Sequence, residues 1–113
     1  MSKTPWVGDD LGIGMYESRA WYYLRELGWK PRKTTIKDGL GIPDFKCTEK
    51  RWVEAKNPRD KLSMPQIKKI SELNKSGEEV YLAIVNGMFG KKDDVELLKI
   101  DITLEKIETV FQN

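Results

Sequence analysis

Residues 41–66, GIPDFKCTEKRWVEAKNPRDKLSMPQ, decide the fold because they combine two β-prone runs, a short connection and the start of a helix. The runs IPDFKC (42–47) and RWVEAK (51–56) contain β-branched and aromatic residues, and the turn-forming TEK separates them. Ser63 is a good N-cap, and Pro65 suits the first turn of the helix that follows. The segment therefore predicts a β-hairpin that leads directly into a helix.

The rest of the chain predicts further helices and strands around this hairpin. The predicted elements are a helix over 14–28 with Gly28 as its C-cap, strands over 32–37, 42–47 and 51–56, a helix that begins near Ser63 and ends before Gly77, strands over 79–85 and 95–100, and a closing helix over 103–111. The expected buried stripes of the first two helices are Tyr16, Ala20, Tyr23, Leu24 and Leu27, and then Ile67, Ile70 and Leu73. The order α-β-β-β-α-β-β-α indicates an α/β protein with a mixed β-sheet flanked by helices.

Composition limits the possible class of protein and of chemistry. With 113 residues, 39% hydrophobic and 34% charged, the chain is expected to form a single globular domain over 1–113. Its net charge of +2 is compatible with a nucleic-acid partner but does not require one. The chain has no histidine, which excludes histidine-based catalysis, and its single cysteine excludes an internal disulfide. No apolar run suits a membrane span or a secretion signal, so we expect an intracellular, cytoplasmic protein.

Two carboxylates and an ammonium occupy hairpin positions that apolar side chains would fill easily. Asp44 lies in the first run, and Glu54 and Lys56 lie on one face of the second. Carboxylates on neighbouring strands provide the hard oxygen ligands that Mg²⁺ or Mn²⁺ prefers, and these ions favour phosphate oxygens. A lysine beside them is suited to hold or deprotonate water and to offset charge during phosphoryl transfer. The set indicates metal-dependent phosphodiester hydrolysis, with a solvated hairpin face as the structural alternative.

Such a site requires a particular hairpin register, because side chains alternate between the two faces of a strand. A three-residue loop over 48–50 pairs Asp44 with Glu54. A two-residue loop pairs Asp44 with Ala55 instead and separates the carboxylates, unless a β-bulge restores them. The site hypothesis therefore predicts an odd-length loop or a bulge.

The segment GIPDF…WVEAKNPRDKLSMPQ resembles the PD-(D/E)XK nuclease superfamily. The resemblance is strongest to the virus-type replication-repair nuclease domains, called VRR-NUC, and to the related archaeal-type Holliday junction resolvases. The family's Pro-Asp is similar to 43–44, its Glu-x-Lys to 54–56, and its D-x-L-S-x-x-Q segment to 60–66. The glutamate of the family's first helix corresponds to Glu17. One departure is Asn57, where such domains often have glycine.

The resemblance implies a restriction-endonuclease-like fold with a divalent metal, Mg²⁺ or Mn²⁺. The implied ligands are Asp44, Glu54 and the main-chain carbonyl of Ala55, with Glu17 binding directly or through water. A polar flank of the first helix is the structural alternative for Glu17.

Other residues around the motif are expected to act on the substrate. The resemblance implies that Lys56 serves catalysis and that Gln66 positions water or phosphate, although Gln66 is also explicable as an ordinary helix residue. The predicted DNA contacts are basic residues past the second strand and on the following helix: Arg59, Lys61, Lys68 and Lys69. Exposed loop charges are an equally good explanation for Arg59 and Lys61.

Together these features lead us to expect a metal-dependent endodeoxyribonuclease that is selective for DNA structure. The expected substrate is branched DNA, a four-way junction or a flap, and the expected assembly is a homodimer that resolves Holliday junctions in DNA repair. Small nucleases of this type are familiar from phages and other viruses. The alternatives are a monomeric flap or nicking nuclease and a nuclease-fold module that binds DNA without cleaving it.

Overall fold

The computed structural model describes residues 15–86 and 95–102. Its elements, in chain order, are α1 (Met15–Glu26), β1 (Arg32–Lys33), a 3₁₀ turn (Ile36–Asp38), β2 (Phe45–Cys47), β3 (Arg51–Lys56), α2 (Met64–Lys75), β4 (Glu79–Val85) and β5 (Val95–Ile100). The predicted order of helices and strands is confirmed through β5, and the chain is α/β. The predicted start of the first helix at residue 14 and the closing helix over 103–111 lie outside the described residues.

In the part of the chain that the structure describes, five strands form one mixed sheet in the order β1-β2-β3-β4-β5. Neighbouring strands are antiparallel except β3 and β4, which are parallel. A parallel pair needs a crossover connection, and α2 supplies it here. The hairpin at 41–66 therefore continues into a βαβ unit whose strands lie at the centre of the sheet.

The first two strands are shorter than predicted. β1 covers two residues rather than 32–37, because the Asp38 carboxylate accepts the Thr35 backbone N–H at 2.8 Å and turns the chain into a 3₁₀ turn. β2 begins at Phe45 rather than at residue 42, directly after a segment whose Pro43 has no N–H to donate to a ladder. The segment before β2, which does not pair in the ladder, includes Asp44 of the candidate site.

The β2–β3 connection is the three-residue loop that the site hypothesis requires. Cys47 pairs with Arg51, and the turn places Glu49 at φ 61° and Lys50 at φ 62°. Extending the same register by one residue past Phe45 sets Asp44 opposite Glu54. The prediction of an odd-length loop is confirmed.

The helices α1 and α2 cover opposite faces of the sheet. Val53 and Ala55 belong to a core cluster with Ala20 and Leu24 of α1, whereas Trp52 belongs to a second cluster on α2. Because side chains alternate along β3, these two clusters lie on different faces. The carboxylates at the end of the hairpin thus lie beside a β-strand that is packed on both sides.

The predicted helical stripes agree with the structure except at one position. Ala20, Leu24, Ile70 and Leu73 are buried, and Tyr16, Tyr23 and Ile67 are partly buried. Leu27, however, is 45% exposed, so its predicted burial is wrong. Leu27 follows the last helical residue, where the chain already turns at Gly28.

Gly28 ends α1 as predicted. It has φ 80°, its N–H donates to the Arg25 carbonyl, and the Trp29 N–H donates to the Leu24 carbonyl. These two bonds form a Schellman cap, which needs a residue in the left-handed region.

Among the described residues, no helix combines the length and the apolar character that crossing a membrane requires.

Candidate active site

Asp44 and Glu54 meet where the β2–β3 ladder ends. The Asp44 backbone N–H donates to Glu54 Oε1 at 3.2 Å, and the Ala55 backbone N–H donates to Asp44 Oδ2 at 2.9 Å. Each carboxylate therefore accepts from the backbone of the opposite strand in place of a ladder bond. This reciprocal pairing fixes both side chains next to each other and uses one oxygen of each.

Lys56 and Gln66 converge on the second oxygen of Glu54. The Gln66 Nε2 donates to Glu54 Oε2 at 2.9 Å, and Lys56 Nζ lies 3.6 Å from the same oxygen. Lys56 Nζ also donates to Gln66 Oε1 at 3.3 Å. The structure thus brings together the predicted site residues of two elements. Glu54 and Lys56 lie two residues apart on β3, and Gln66 lies in the first turn of α2.

The N-terminus of α2 holds the Gln66 carboxamide in this orientation. Ser63 is the N-cap as predicted, and its hydroxyl accepts the Gln66 backbone N–H at 3.3 Å. In return Gln66 Oε1 accepts the Ser63 backbone N–H at 2.8 Å, which completes a capping box. Gln66 is therefore both a helix-capping residue and a neighbour of Glu54, and its role in positioning water or phosphate stays a prediction.

Thr34 fixes the backbone that carries Asp44, and the sequence did not single it out. The buried Thr34 hydroxyl donates to the Pro43 carbonyl at 2.6 Å and lies 3.0 Å from the Asp44 carbonyl. The Thr34 backbone N–H donates to the same Asp44 carbonyl at 2.9 Å. The signal available in the sequence was a threonine within the first β-prone run, which is too common to be specific.

Lys33 is a second residue of the site that sequence reasoning missed. Its Nζ lies 3.1 Å from Glu17 Oε2 and 3.9 Å from Asp44 Oδ1. Glu17, predicted as a possible metal ligand, thus lies beside Asp44 with an ammonium between them. The sequence offered only a lysine in a β-prone run, without any spacing that linked it to the carboxylates.

The site is acidic and poorly hydrated. Glu54 is 5% exposed, and burial, followed by repulsion from Asp44, raises its pKa to about 8 although Lys56 acts in the opposite direction. Burial, followed by repulsion from Glu17, raises the pKa of Asp44 to about 6 against the effects of the Ala55 N–H, Lys33 and Lys56. Burial therefore outweighs the two ammonium groups, and both carboxyls hold protons at a pH where exposed carboxyls are ionised.

The chemistry of these donors fits a hard divalent cation. The buried Glu54 and the partly buried Asp44 carboxylates have raised pKa values, and a cation that replaces the lost water stabilises their charged forms. Glu17 adds a third acidic side chain, and its Oε2 is buried without a hydrogen bond. Within 15–86 and 95–102, however, no group of three or more acidic, cysteine or histidine residues is already arranged to hold a metal. Asp44 and Glu54 are therefore the residues that would hold it, with the Ala55 carbonyl as the adjacent backbone oxygen.

The side chains of the predicted DNA contacts are exposed or partly exposed. Arg59, Lys61 and Lys68 are exposed, and Lys69 Nζ lies 3.9 Å from Glu72 on α2. Lys61 contributes its main-chain carbonyl, which lies 3.4 Å from Lys56 Nζ as an acceptor. Whether these four side chains contact phosphates stays a prediction.

Comparisons of the chain with protein-family models, with curated proteins and with solved structures found no match.

Proposed function

We propose that this protein is a divalent-metal-dependent endonuclease that hydrolyses phosphodiester bonds in DNA, with a fold of the restriction-endonuclease type. The observation that carries the proposal is the adjacent Asp44–Glu54 pair, in which Glu54 is buried and Asp44 is partly buried, with an ammonium 3.6 Å from Glu54 Oε2. A protein interior tolerates adjacent carboxylates poorly, so the arrangement has a cost to stability that function explains. The resemblance to PD-(D/E)XK nucleases supports the same conclusion through these residues.

Each residue of the cluster has a chemical role in this proposal. Asp44, Glu54 and the Ala55 carbonyl would hold Mg²⁺ or Mn²⁺, which would supply Lewis acidity toward a phosphate oxygen. Lys56 holds the attacking water or offsets the charge that develops on the phosphoryl oxygens. Gln66 keeps Glu54 and Lys56 in position, because its amide contacts both and is itself held by the capping box.

Branched DNA is the proposed substrate and a homodimer the proposed assembly. The predicted contacts are lysines and arginines, which bind phosphates and therefore report the shape of the DNA rather than its sequence. Resolution of a four-way junction requires two symmetric cuts, which a two-fold dimer with one site per subunit provides.

The test of the function is a cleavage assay on labelled four-way junction, flap and linear duplex DNA in Mg²⁺, Mn²⁺ or EDTA. The wild type is expected to cleave branched DNA only with metal. Asp44→Asn and Lys56→Ala are expected to lose at least about a hundredfold in rate, because each removes a charge that acts on the reacting phosphate. Lys75→Ala is the matched control, since Lys75 is exposed at the far end of α2.

The outcomes separate the proposed nuclease from its alternatives. Cleavage of flaps alone by a monomer would replace the junction-resolving version. Junction binding without cleavage in any metal would contradict the proposal and identify a DNA-binding module. Wild-type rates in both Asp44→Asn and Lys56→Ala would show that the site assignment is wrong.

A further inference from the structure

Lys33 occupies the space between two acidic side chains of the candidate site. Its ammonium lies 3.1 Å from Glu17 Oε2 and 3.9 Å from Asp44 Oδ1. Asp44 Oδ2 already accepts the Ala55 N–H, so Oδ1 is the oxygen that faces Lys33. The Lys33 ammonium, a monovalent cation, thus lies near the Asp44 oxygen that does not accept the Ala55 N–H.

The sheet register places Lys33 there. Lys33 pairs with Phe45 across the antiparallel β1–β2 ladder, so both side chains lie on the sheet face that α1 covers. Glu17 lies in the first turn of α1, and Lys33 Nζ lies 6.0 Å from the centre of the Phe45 ring. The lysine side chain is 30% exposed, so it has room to move toward solvent.

The contact between Lys33 and Glu17 is an ion pair of imperfect geometry. Glu17 Oε2 is buried and makes no hydrogen bond, although the ammonium is at ion-pair distance. A buried carboxylate oxygen without a hydrogen bond is costly unless a cation compensates it. The pair is therefore suited to exchange for a cation of higher charge.

We propose that Lys33 is an internal counter-ion that competes with the divalent metal for the Glu17–Asp44 side of the site. In the metal-free protein the ammonium stabilises these carboxylates. When a divalent cation binds, the like charge repels the ammonium, and the Lys33 side chain turns toward solvent. The energy needed to break its ion pairs sets the metal concentration at which the site fills. The inference rests on the metal site of the proposed function, but not on cleavage of DNA.

The test is the affinity for Mn²⁺, measured by titration calorimetry on Lys33→Met, Lys33→Arg and wild type. Methionine keeps a long apolar side chain against Phe45 and removes the charge, so the Kd for Mn²⁺ is expected to fall by about tenfold or more. Arginine keeps the charge, and its Kd is expected to stay within about threefold of wild type. Lys37→Met is the matched control, because Lys37 is an exposed lysine four residues away.

Thermal unfolding at pH 8 separates this role from a merely structural one. Lys33→Met is expected to have a lower Tm than wild type without metal, since the carboxylates lose their counter-ion. At saturating Mn²⁺ its Tm is expected to reach or exceed that of wild type. A Tm that is equally lowered in both conditions, or a Kd that is unchanged or higher, would overturn the proposal.

These measurements also distinguish the failure of this inference from a failure of the proposed function. If the wild type binds Mn²⁺ without cleaving any DNA and Lys33→Met binds it more tightly, the counter-ion role stands and the nuclease proposal fails. If the wild type cleaves DNA while Lys33→Met binds Mn²⁺ no more tightly than wild type, the nuclease proposal stands and the counter-ion role fails. If neither protein binds Mn²⁺, the counter-ion proposal is overturned.

Discussion

Asp44→Asn is expected to stabilise the metal-free protein, because Asp44 carries a charge that its surroundings disfavour. Burial and the nearby Glu17 raise the pKa of Asp44 from its ordinary value of 3.8 to about 6. Asparagine has the same shape, and its side-chain oxygen still accepts the Ala55 N–H that Asp44 Oδ2 accepts at 2.9 Å. What the substitution removes is the charge, together with the contact at 3.9 Å to Lys33.

The magnitude follows from the difference between the folded and unfolded pKa values. At pH 8, ionising Asp44 in the folded protein rather than in the unfolded chain costs about 3 kcal/mol, because its pKa is about 6 instead of 3.8. At pH 5 the folded carboxyl is mostly protonated, and the cost falls to about half of that. The advantage of the variant over wild type is therefore expected to be larger at pH 8 than at pH 5, by on the order of 1 kcal/mol, which corresponds to a few degrees in Tm.

The stability of metal-free wild type is expected to fall as the pH rises, for the same reason that the advantage of the variant grows. The raised pKa values of Asp44 and Glu54, about 6 and about 8, mean that the folded state binds more protons than the unfolded chain above about pH 4. Their contribution to stability is fully present below pH 4 and is lost as the pH rises through 8. The metal-free wild type is expected to unfold at a lower temperature at pH 8 than at pH 5.

The assay is thermal unfolding of wild type and Asp44→Asn at pH 5 and pH 8, in EDTA and in Mn²⁺. Metal at about 1,000 times its Kd stabilises a protein by about 4.1 kcal/mol, which exceeds the cost of about 3 kcal/mol at Asp44. Mn²⁺ at that concentration is therefore expected to raise the Tm of wild type and to have little effect on the variant. The order of the two Tm values should therefore invert when Mn²⁺ is added at pH 8. Asp60→Asn serves as the control, since Asp60 is an exposed carboxylate in the adjacent loop.

A lower Tm for metal-free Asp44→Asn at pH 8 than for wild type would refute the claim that the site is electrostatically strained. An advantage of the variant that does not change between pH 5 and pH 8 would refute the burial argument for Asp44. Either result would also remove the main structural support for a cation at this position.

The remaining predictions concern the scaffold and the assembly. Thr34→Val is expected to lose about 1–3 kcal/mol in urea unfolding, because the buried Pro43 carbonyl loses the hydroxyl that donates to it at 2.6 Å. Gly41→Ala is expected to lose more than about 2 kcal/mol, because a Cβ there would lie 2.3 Å from the Pro65 carbonyl oxygen at φ 77°. Gly77→Ala is its matched control: φ is 82° but the space is open, so only about 1–2 kcal/mol should be lost, and an equal loss in both variants would contradict the clash. Light scattering is expected to show a dimer at micromolar concentration, burying about 1,200 Å² or more in total, whereas a monomer would contradict the junction-resolving version.

The hairpin and the helix after it were predictable because their signals are local. A strand pattern, a turn-forming TEK and a Ser-x-x-Gln capping sequence each act over a few residues, and the structure has β2, β3 and α2 with Ser63 as N-cap. The paired strands β4 and β5 were predictable for the same reason, since each is a short apolar run between breakers. The errors at β1, β2 and Leu27 occur where a side chain or cap competes with the regular pattern at the end of an element.

The sequence by itself determined which carboxylates and which lysine the hairpin carries, and it limited their pairing to two registers. Only the tertiary structure decided between those registers, through the left-handed residues Glu49 and Lys50 that close a three-residue loop. It also decided that Glu54 is buried, because β4 and α2 cover β3 from positions far along the chain. The place of Lys33 between Glu17 and Asp44 depends on α1, β1 and β2 meeting at one edge, and no local pattern encodes a contact among three such separate segments.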